Sequence, residues 1–384
     1  MPDITVVGGG PAGTFSAKQL AISGHEVTLL EEHRTSGIPT HCAGVVSNEV
    51  IKTLGLPSNL TTSMLTTADV VLPNGKVIST SKSSPYAYVI DRAACDIKMA
   101  EDAEAAGVNI KYGVSYKSHV VTDDYVSVST NTETIKSDLL IGADGQSSLI
   151  AASLGNNHAR SYIRGFQVDL EHELEDQNKM TMWLGNNVAP GFFAWQLPLG
   201  NVTRMGIGVR ASFGTPSQYL ENLLKTTGLD EKKRLKTYVG KIPIGGRRTS
   251  YSDRILLIGD AAGQVKPVSG GGLFPIAKVA PLLRETVDRA YSLNIFNASV
   301  LSLYERAWKR EIGKSLNNGM RLRNFYDSLD DDDLCRFGEL FNRPDVLEEL
   351  SEIDIDNPSN VVKPILKKKG MKSALFKSYL GTRL

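Results

Sequence analysis

Three glycines near the start of the chain constrain its fold more than any other feature. Gly8, Gly10 and Gly13 form a G-x-G-x-x-G pattern directly after the apolar run Ile4 to Val7, where helix formers begin. Gly8 permits a tight turn, Gly10 lets backbone approach a pyrophosphate, and Gly13 lets a helix pack close on a strand. Pro11 takes a tolerated first-turn position in a helix expected to run to Ser23. A second apolar run, Val27 to Leu30, completes a βαβ unit of parallel sheet. Glu31 ends that run, eighteen residues after Gly13. A carboxylate there accepts hydrogen bonds from both hydroxyls of an adenosine ribose and disfavours a 2′-phosphate. The expected ligand is a dinucleotide lacking that phosphate.

Two further segments belong with this turn. One is DLLIGADG, Asp138 to Gly145, and the other is RILLIGDAAGQVKPVSGGG, Arg254 to Gly272. The second predicts a strand ending in Gly259-Asp260, which places an acid at the strand edge where open α/β sheets bind ligands. Gly270, Gly271 and Gly272 then allow close backbone approach, and a helix is predicted from near Pro275. Its N-terminus would face developing negative charge. On spacing alone Asp260 reads equally well as a helix N-cap.

Between these parallel pieces the pattern changes. ADVVLPNGKVIST, from Ala68, is two extended runs around Asn74-Gly75, a hairpin signal. Strands are predicted to dominate from Tyr162 to Ala211, and helices follow the strand Ile255 to Ile258. With 384 residues, two woven domains are expected. A nucleotide-binding domain takes 1–60, 85–158 and 245–300, an antiparallel-sheet domain takes 61–84 and 159–244, and 301–384 forms a helical region. Asp330 to Asp356 is acidic, whereas Asn357 to Leu384 carries seven basic residues and no acid.

A net charge of +1 argues against nucleic acid as a partner. Cys42, Cys95 and Cys335 are too few and too scattered for a disulfide framework, which suits a reducing, cytoplasmic setting. Met1 to Val7 shows no secretory signal, and no run of eighteen apolar residues occurs. No metal is expected. The lack of C-x-x-C and C-x4-C pairs argues against dithiol chemistry, and no second glycine turn marks a separate nicotinamide domain.

In order and spacing the three segments resemble the p-hydroxybenzoate hydroxylase superfamily of flavoproteins, and within it most closely the geranylgeranyl reductase family. The resemblance covers roughly residues 1 to 320. It implies an α/β fold, with a Rossmann-like FAD-binding domain on a parallel sheet, interwoven with an antiparallel substrate sheet. It implies FAD as cofactor, held by Gly8, Gly10, Ala12, Gly13, Glu31, Arg92 of YVIDRAACD, Val114 near the adenine, Asp260, Gly271 and Gly272. IPTHCAGVVS, Ile38 to Ser47, resembles the family's cysteine loop, with Cys42, Ala43 and Val45 at flavin-contacting positions. PGFFAWQLP, Pro190 to Pro198, resembles its Tyr-x-Trp-x-Phe-Pro substrate motif, with Phe193 for the tyrosine and Leu197 for the phenylalanine. Ala151 stands where the superfamily usually has an arginine after GADG.

Read from the residues alone, Phe193 and Trp195 share one face of a strand and Phe192 takes the other, and sheet core explains them as well as a lipid pocket does. Cys42, beside His41 in a polar loop, is either a small hydrophobe or a reactive thiol. Cys95 and Cys335 read as structural. The family implies reduction of C=C bonds in a prenyl chain, probed by Phe193 and Trp195 and catalysed with Cys42. It also implies an external electron donor, a reduced nicotinamide or a ferredoxin-like protein. A flavin monooxygenase or halogenase is the alternative, because FAWQLP also resembles the halogenase Trp-x-Trp-x-Ile-Pro motif. A non-catalytic FAD-stabilised scaffold is the third reading. The basic tail, Lys363 to Arg383, with Met371, Leu375 and Phe376 at helical spacing, is either a solvated helix or a peripheral contact with anionic membrane.

Overall fold

The computed structural model describes residues 3–155, 161–371 and 373. The glycine turn is part of a six-stranded sheet, in the order Tyr251–Ser252, Ile255–Leu257, Leu139–Gly142, Ile4–Val7, Val27–Glu31, Asn109–Tyr112. All pairings are parallel except that of Tyr251–Ser252. Ile4 registers with Leu139 and Val27, and Val7 with Gly142 and Leu30. The three glycine-bearing segments therefore end side by side at the carboxyl edge of one sheet, where ligands bind in such folds.

Alternation divides the sheet's buried residues between two layers. Ile4, Val6, Leu29, Leu139, Ile141 and Leu256 face the helices Pro11–Ile22, Arg92–Ala105 and Leu273–Leu293. Val7, Leu30, Leu140 and Leu257 face the other way, onto Val126, Val128 and Ile135 of a small antiparallel sheet, Tyr116–Val121, Val126–Thr130 and Thr134–Ser137.

The second large sheet has seven strands, in the order Arg234–Ile244, Ser161–Glu171, Val202–Arg210, Ala194–Leu199, Lys179–Trp183, Thr67–Val71, Val77–Ser81. It is antiparallel apart from Lys179–Trp183 on Thr67–Val71. The hairpin closes at Gly75, whose φ of 80° needs glycine. One face, with Val168, Leu170, Met205 and Ile207, packs on Leu220, Leu223 and Leu224 of the helix Pro216–Thr227. The other face looks toward the nucleotide half. Thr61–Leu65, Ala87–Ile90 and Val45–Val46 make a small sheet between the two.

Two expectations are corrected. The strand of the aromatic motif begins at Ala194, so Phe192 and Phe193 precede it and do not alternate. Phe192 joins Phe193 and Trp195 in one cluster, with rings 192 and 193 stacked at 4.2 Å. Met371 is not part of a lipid-facing stripe. It is fully buried, with Ile365, Val346 and Val361, behind the helix Val362–Lys367, and Lys368 pairs with Glu349 at 2.7 Å. Lys372, Leu375, Phe376, Lys377, Tyr379, Leu380 and Arg383 lie outside the described residues. No helix among the described residues is long and apolar enough to cross a membrane.

Candidate active site

At the glycine turn, Gly8 has φ of 106°, and a side chain there would overlap Ala143 O. A Cβ on Gly13 would overlap Gly8 O, so helix and strand touch through backbone. Gly10 differs: a Cβ there would meet no atom within 4 Å. Its side is open, and the helix Pro11–Ile22 begins there without a side-chain cap. The first-turn N–H groups, among them those of Ala12 and Gly13, therefore face a space that suits an anion. Ala12 lies against the third segment, because a Cβ on Gly259 would come within 2.7 Å of Ala12 Cβ.

Glu31 is 7% exposed. Its Oε2 accepts from Gly9 N–H at 2.7 Å, and its Oε1 accepts from His33 N–H at 2.8 Å and His33 Nδ1 at 2.6 Å. Oε2 keeps a lone pair for a ribose hydroxyl. Val114 donates its N–H to Glu31 O at 2.9 Å, which ties it to the same corner.

In the third segment, Asp260 takes no N-cap bond; it lies in the short turn Gly259–Ala262. Burial pushes its carboxyl up to about 6, against the pull of Arg92 and Arg247. A Cβ on Gly272 would lie 3.1 Å from Asp260 Oδ1, and one on Gly271 would press on Lys266 Cε at 2.6 Å. Arg92 opens the helix Arg92–Ala105 and forks onto Asp96 at 3.0 and 2.9 Å. Burial alone would weaken its charge, but Asp96 and Cys42 outweigh burial and raise its pKa. The Arg92 guanidinium is also close enough to the Cys42 thiol for the two to interact electrostatically. Cys42, Arg92 and Asp260, far apart in the sequence, are thus one neighbourhood. Cys95 is 1% exposed, and burial pushes its thiol up to about 12, which suits a structural role.

Beyond Cys42 the site becomes apolar. Ala43 and Val45 pack with Trp195 and Leu197. Phe193 meets Trp195 edge to face at 6.0 Å. The sheet beneath has a feature the sequence reading missed. Gly206 pairs with Trp195, and its bare Cα leaves room for the indole, which a side chain would strike. Gly208 likewise makes room for Phe192. Glycine at alternate positions of a strand, MGIG, was the available signal.

Residues 1–274 match the model of the FAD binding domain family, well over half of the chain. The chain is an FAD-binding flavoprotein of this family. Among curated relatives of this flavoprotein, the digeranylgeranylglycerophospholipid reductase of Methanocaldococcus jannaschii is 29% identical, over 98% of each chain. Digeranylgeranylglycerophospholipid reductase 1 of Methanothermobacter thermautotrophicus is 31% identical, over 88% of this chain and 90% of its own, and the flavoprotein belongs with that reductase family. In fold it resembles a geranylgeranyl bacteriochlorophyll reductase-like protein of Thermoplasma acidophilum, with TM-score 0.86 at 20% identity over 98% of this chain and 99% of that one. A halogenase in complex with phloroglucinol and FAD is a more distant likeness, TM-score 0.70 at 16% identity over 94% and 85%. The residues fit FAD, since the open side of Gly10, the uncapped helix and the buried Glu31 carboxylate meet the needs of a pyrophosphate and a ribose.

Proposed function

We propose that this FAD-dependent oxidoreductase reduces isolated C=C bonds in the prenyl chain of an isoprenoid ether lipid. The observation that carries the reading is the junction at Cys42, with Arg92 and Asp260 on one side and the apolar floor of Ala43, Val45, Trp195 and Phe193 on the other. An isoprenoid chain offers no charge to grip, so an apolar, aromatic site suits it. The names of the relatives support the same substrate class.

Reduced FAD, when bound, supplies a hydride to one alkene carbon. The chain's residues do the rest. Glu31 Oε2 accepts an adenosine ribose hydroxyl, and the Gly8–Gly13 turn with Ala12 approaches the pyrophosphate. Val114 lines the adenine end. Arg92, Asp260, Gly271 and Gly272 hold the flavin half, and Ala43 and Val45 pack on it. Phe193 and Trp195 orient the prenyl chain and exclude water. The Cys42 thiol gives a proton to the second alkene carbon, Arg92 steadies the resulting thiolate, and water restores the proton. Electrons come from an external donor, a reduced nicotinamide or a ferredoxin-like protein. Exposed Lys363, Lys367 and Lys369 bring the protein to the surface of an anionic membrane.

Mass spectrometry of small molecules extracted from the purified protein tests the substrate class. A prenylated lipid with unsaturated and partly saturated forms is expected. Recovery of an aromatic substrate that is hydroxylated or halogenated with oxygen would replace this reading with the monooxygenase or halogenase one.

A further inference from the structure

The loop carrying Cys42 is tied down by a set of buried polar residues. Three consecutive loop residues are bonded to the seven-stranded sheet. His41 Nδ1 donates to Val239 O at 2.5 Å, Gln167 Nε2 donates to Cys42 O at 3.1 Å, and Arg204 Nη1 donates to Ala43 O at 2.9 Å. From the opposite side Ile90 N–H donates to Gly44 O at 2.9 Å, and Gly44 N–H points at Cys42 Sγ at 3.4 Å.

Arg204 belongs to a closed cluster. Its Nε and Nη2 fork onto Asp169 at 2.7 and 2.9 Å. The Tyr238 hydroxyl donates to Asp169 Oδ2 at 2.5 Å and accepts from Arg204 Nη2 at 2.9 Å. Asp169 registers with Arg204, and Gln167 with Tyr238 and Gly206, so strand alternation puts all four polar side chains on the face toward the loop. They are between 3% and 8% exposed. Gly240 lets the loop settle on this face, since a Cβ there would lie 3.2 Å from His41 O.

A buried ion pair adds little stability, because desolvation offsets its attraction and a packed apolar cluster does as well. An apolar cluster has no donors for two successive carbonyls. Gln167 makes the point most clearly. Its Oε1 is buried without a partner among the described residues, and its Nε2 bonds to the loop.

We propose that Gln167 and the Asp169–Arg204–Tyr238 cluster are positioning residues. They fix the backbone of Cys42 and Ala43 so that the thiol stays beside Arg92 and is aimed at the reacting alkene. The proposal rests on the reductase reading of the site.

Two variants in a Cys335→Ser background test it on FAD-loaded protein. Gln167→Leu removes one donor and leaves the ion pair intact. Asp169→Leu with Arg204→Met removes the pair together, so that neither charge is left alone. The rate of Cys42 capture by iodoacetamide, located by mass spectrometry, is measured with FAD content and single-turnover oxidation by a prenylated lipid. Cys42 capture is expected to be about tenfold faster, the worth of one ordinary hydrogen bond to the loop. The saturating turnover rate should fall about tenfold while the half-saturating lipid concentration moves less than about twofold, the mark of a lost transition-state contact. A merely structural role would lower FAD content and melting temperature and leave capture by the folded fraction unchanged. Capture at the wild-type rate in Gln167→Leu overturns the proposal, whether or not the double variant folds. If prenyl lipid fails to oxidise the wild-type protein, the reductase reading falls, while the capture rates still judge the clamp.

Discussion

Replacing Glu31 by alanine should weaken FAD binding and leave FMN binding as it is. The carboxylate is 7% exposed and already receives Gly9 N–H at 2.7 Å and His33 N–H at 2.8 Å, so its position is fixed before the ribose arrives. A bond from a ribose hydroxyl to a preplaced carboxylate acceptor is charge-assisted, and its loss costs about 1–3 kcal/mol. That corresponds to a Kd raised roughly 5- to 150-fold at 1.4 kcal/mol per tenfold. The variant also leaves Gly9 N–H without its buried acceptor, so the apo-protein should lose about 1–2 kcal/mol of its own. Fluorescence titration of apo-protein with FAD and FMN, next to denaturant unfolding without cofactor, separates the two losses. FMN lacks the adenosine ribose, so its Kd should be the same in both proteins. An unchanged FAD Kd, or equal loss for FAD and FMN, would show that Glu31 supports the turn and not the ribose.

Three other outcomes follow from the same geometry. Gly206→Ala drives a methyl into the Trp195 indole and should cost about 1–3 kcal/mol of stability, whereas Gly165→Ala, whose Cβ would meet only Gly240 O at 3.7 Å, should stay within about 1 kcal/mol in thermal melts. Asp260, with a pKa raised from 3.8 to about 6, stabilises the cofactor-free fold in its protonated form. That contribution is full below 3.8 and is lost as pH rises through about 6, so unfolding curves of wild type and Asp260→Asn should diverge across that window, and parallel curves would refute the burial argument. Reversing Lys363, Lys367 and Lys369 to glutamate should weaken binding to anionic vesicles by ~1 kcal/mol or more per residue in sedimentation assays, and equal binding would dismiss the tail as a membrane contact.

The nucleotide half was legible because its function needs special residues. Glycines at Gly8, Gly10 and Gly13 and an acid at Glu31 are choices few other folds demand, and the same holds for the fold class that follows. The three-stranded sheet Tyr116–Val121 to Thr134–Ser137 went unread, since its strands are short and its buried residues, Val126, Val128 and Ile135, are few. Strand alternation puts Phe192 on the wrong face, because the strand begins only at Ala194 and a turn precedes it. The nearness of Arg92 to Cys42 joins two segments fifty residues apart, and no local pattern records it. The Asp169–Arg204–Tyr238 cluster was equally hidden. Each residue looks like an ordinary polar strand position until register brings the three together.

In this mechanism a prenyl alkene takes up hydrogen with help from Cys42. Anaerobic stopped-flow mixing of dithionite-reduced, FAD-loaded protein with a geranylgeranyl lipid tests it most directly, with products followed by mass spectrometry. Wild type should be oxidised by the lipid, which gains two hydrogens for each double bond reduced. Cys42→Ala should keep its FAD and its reduction by dithionite and slow the lipid step by roughly 10²–10⁴-fold, the range of a lost general acid. Wild-type protein that stays reduced in the presence of lipid, or reacts only when oxygen is admitted, would contradict the account.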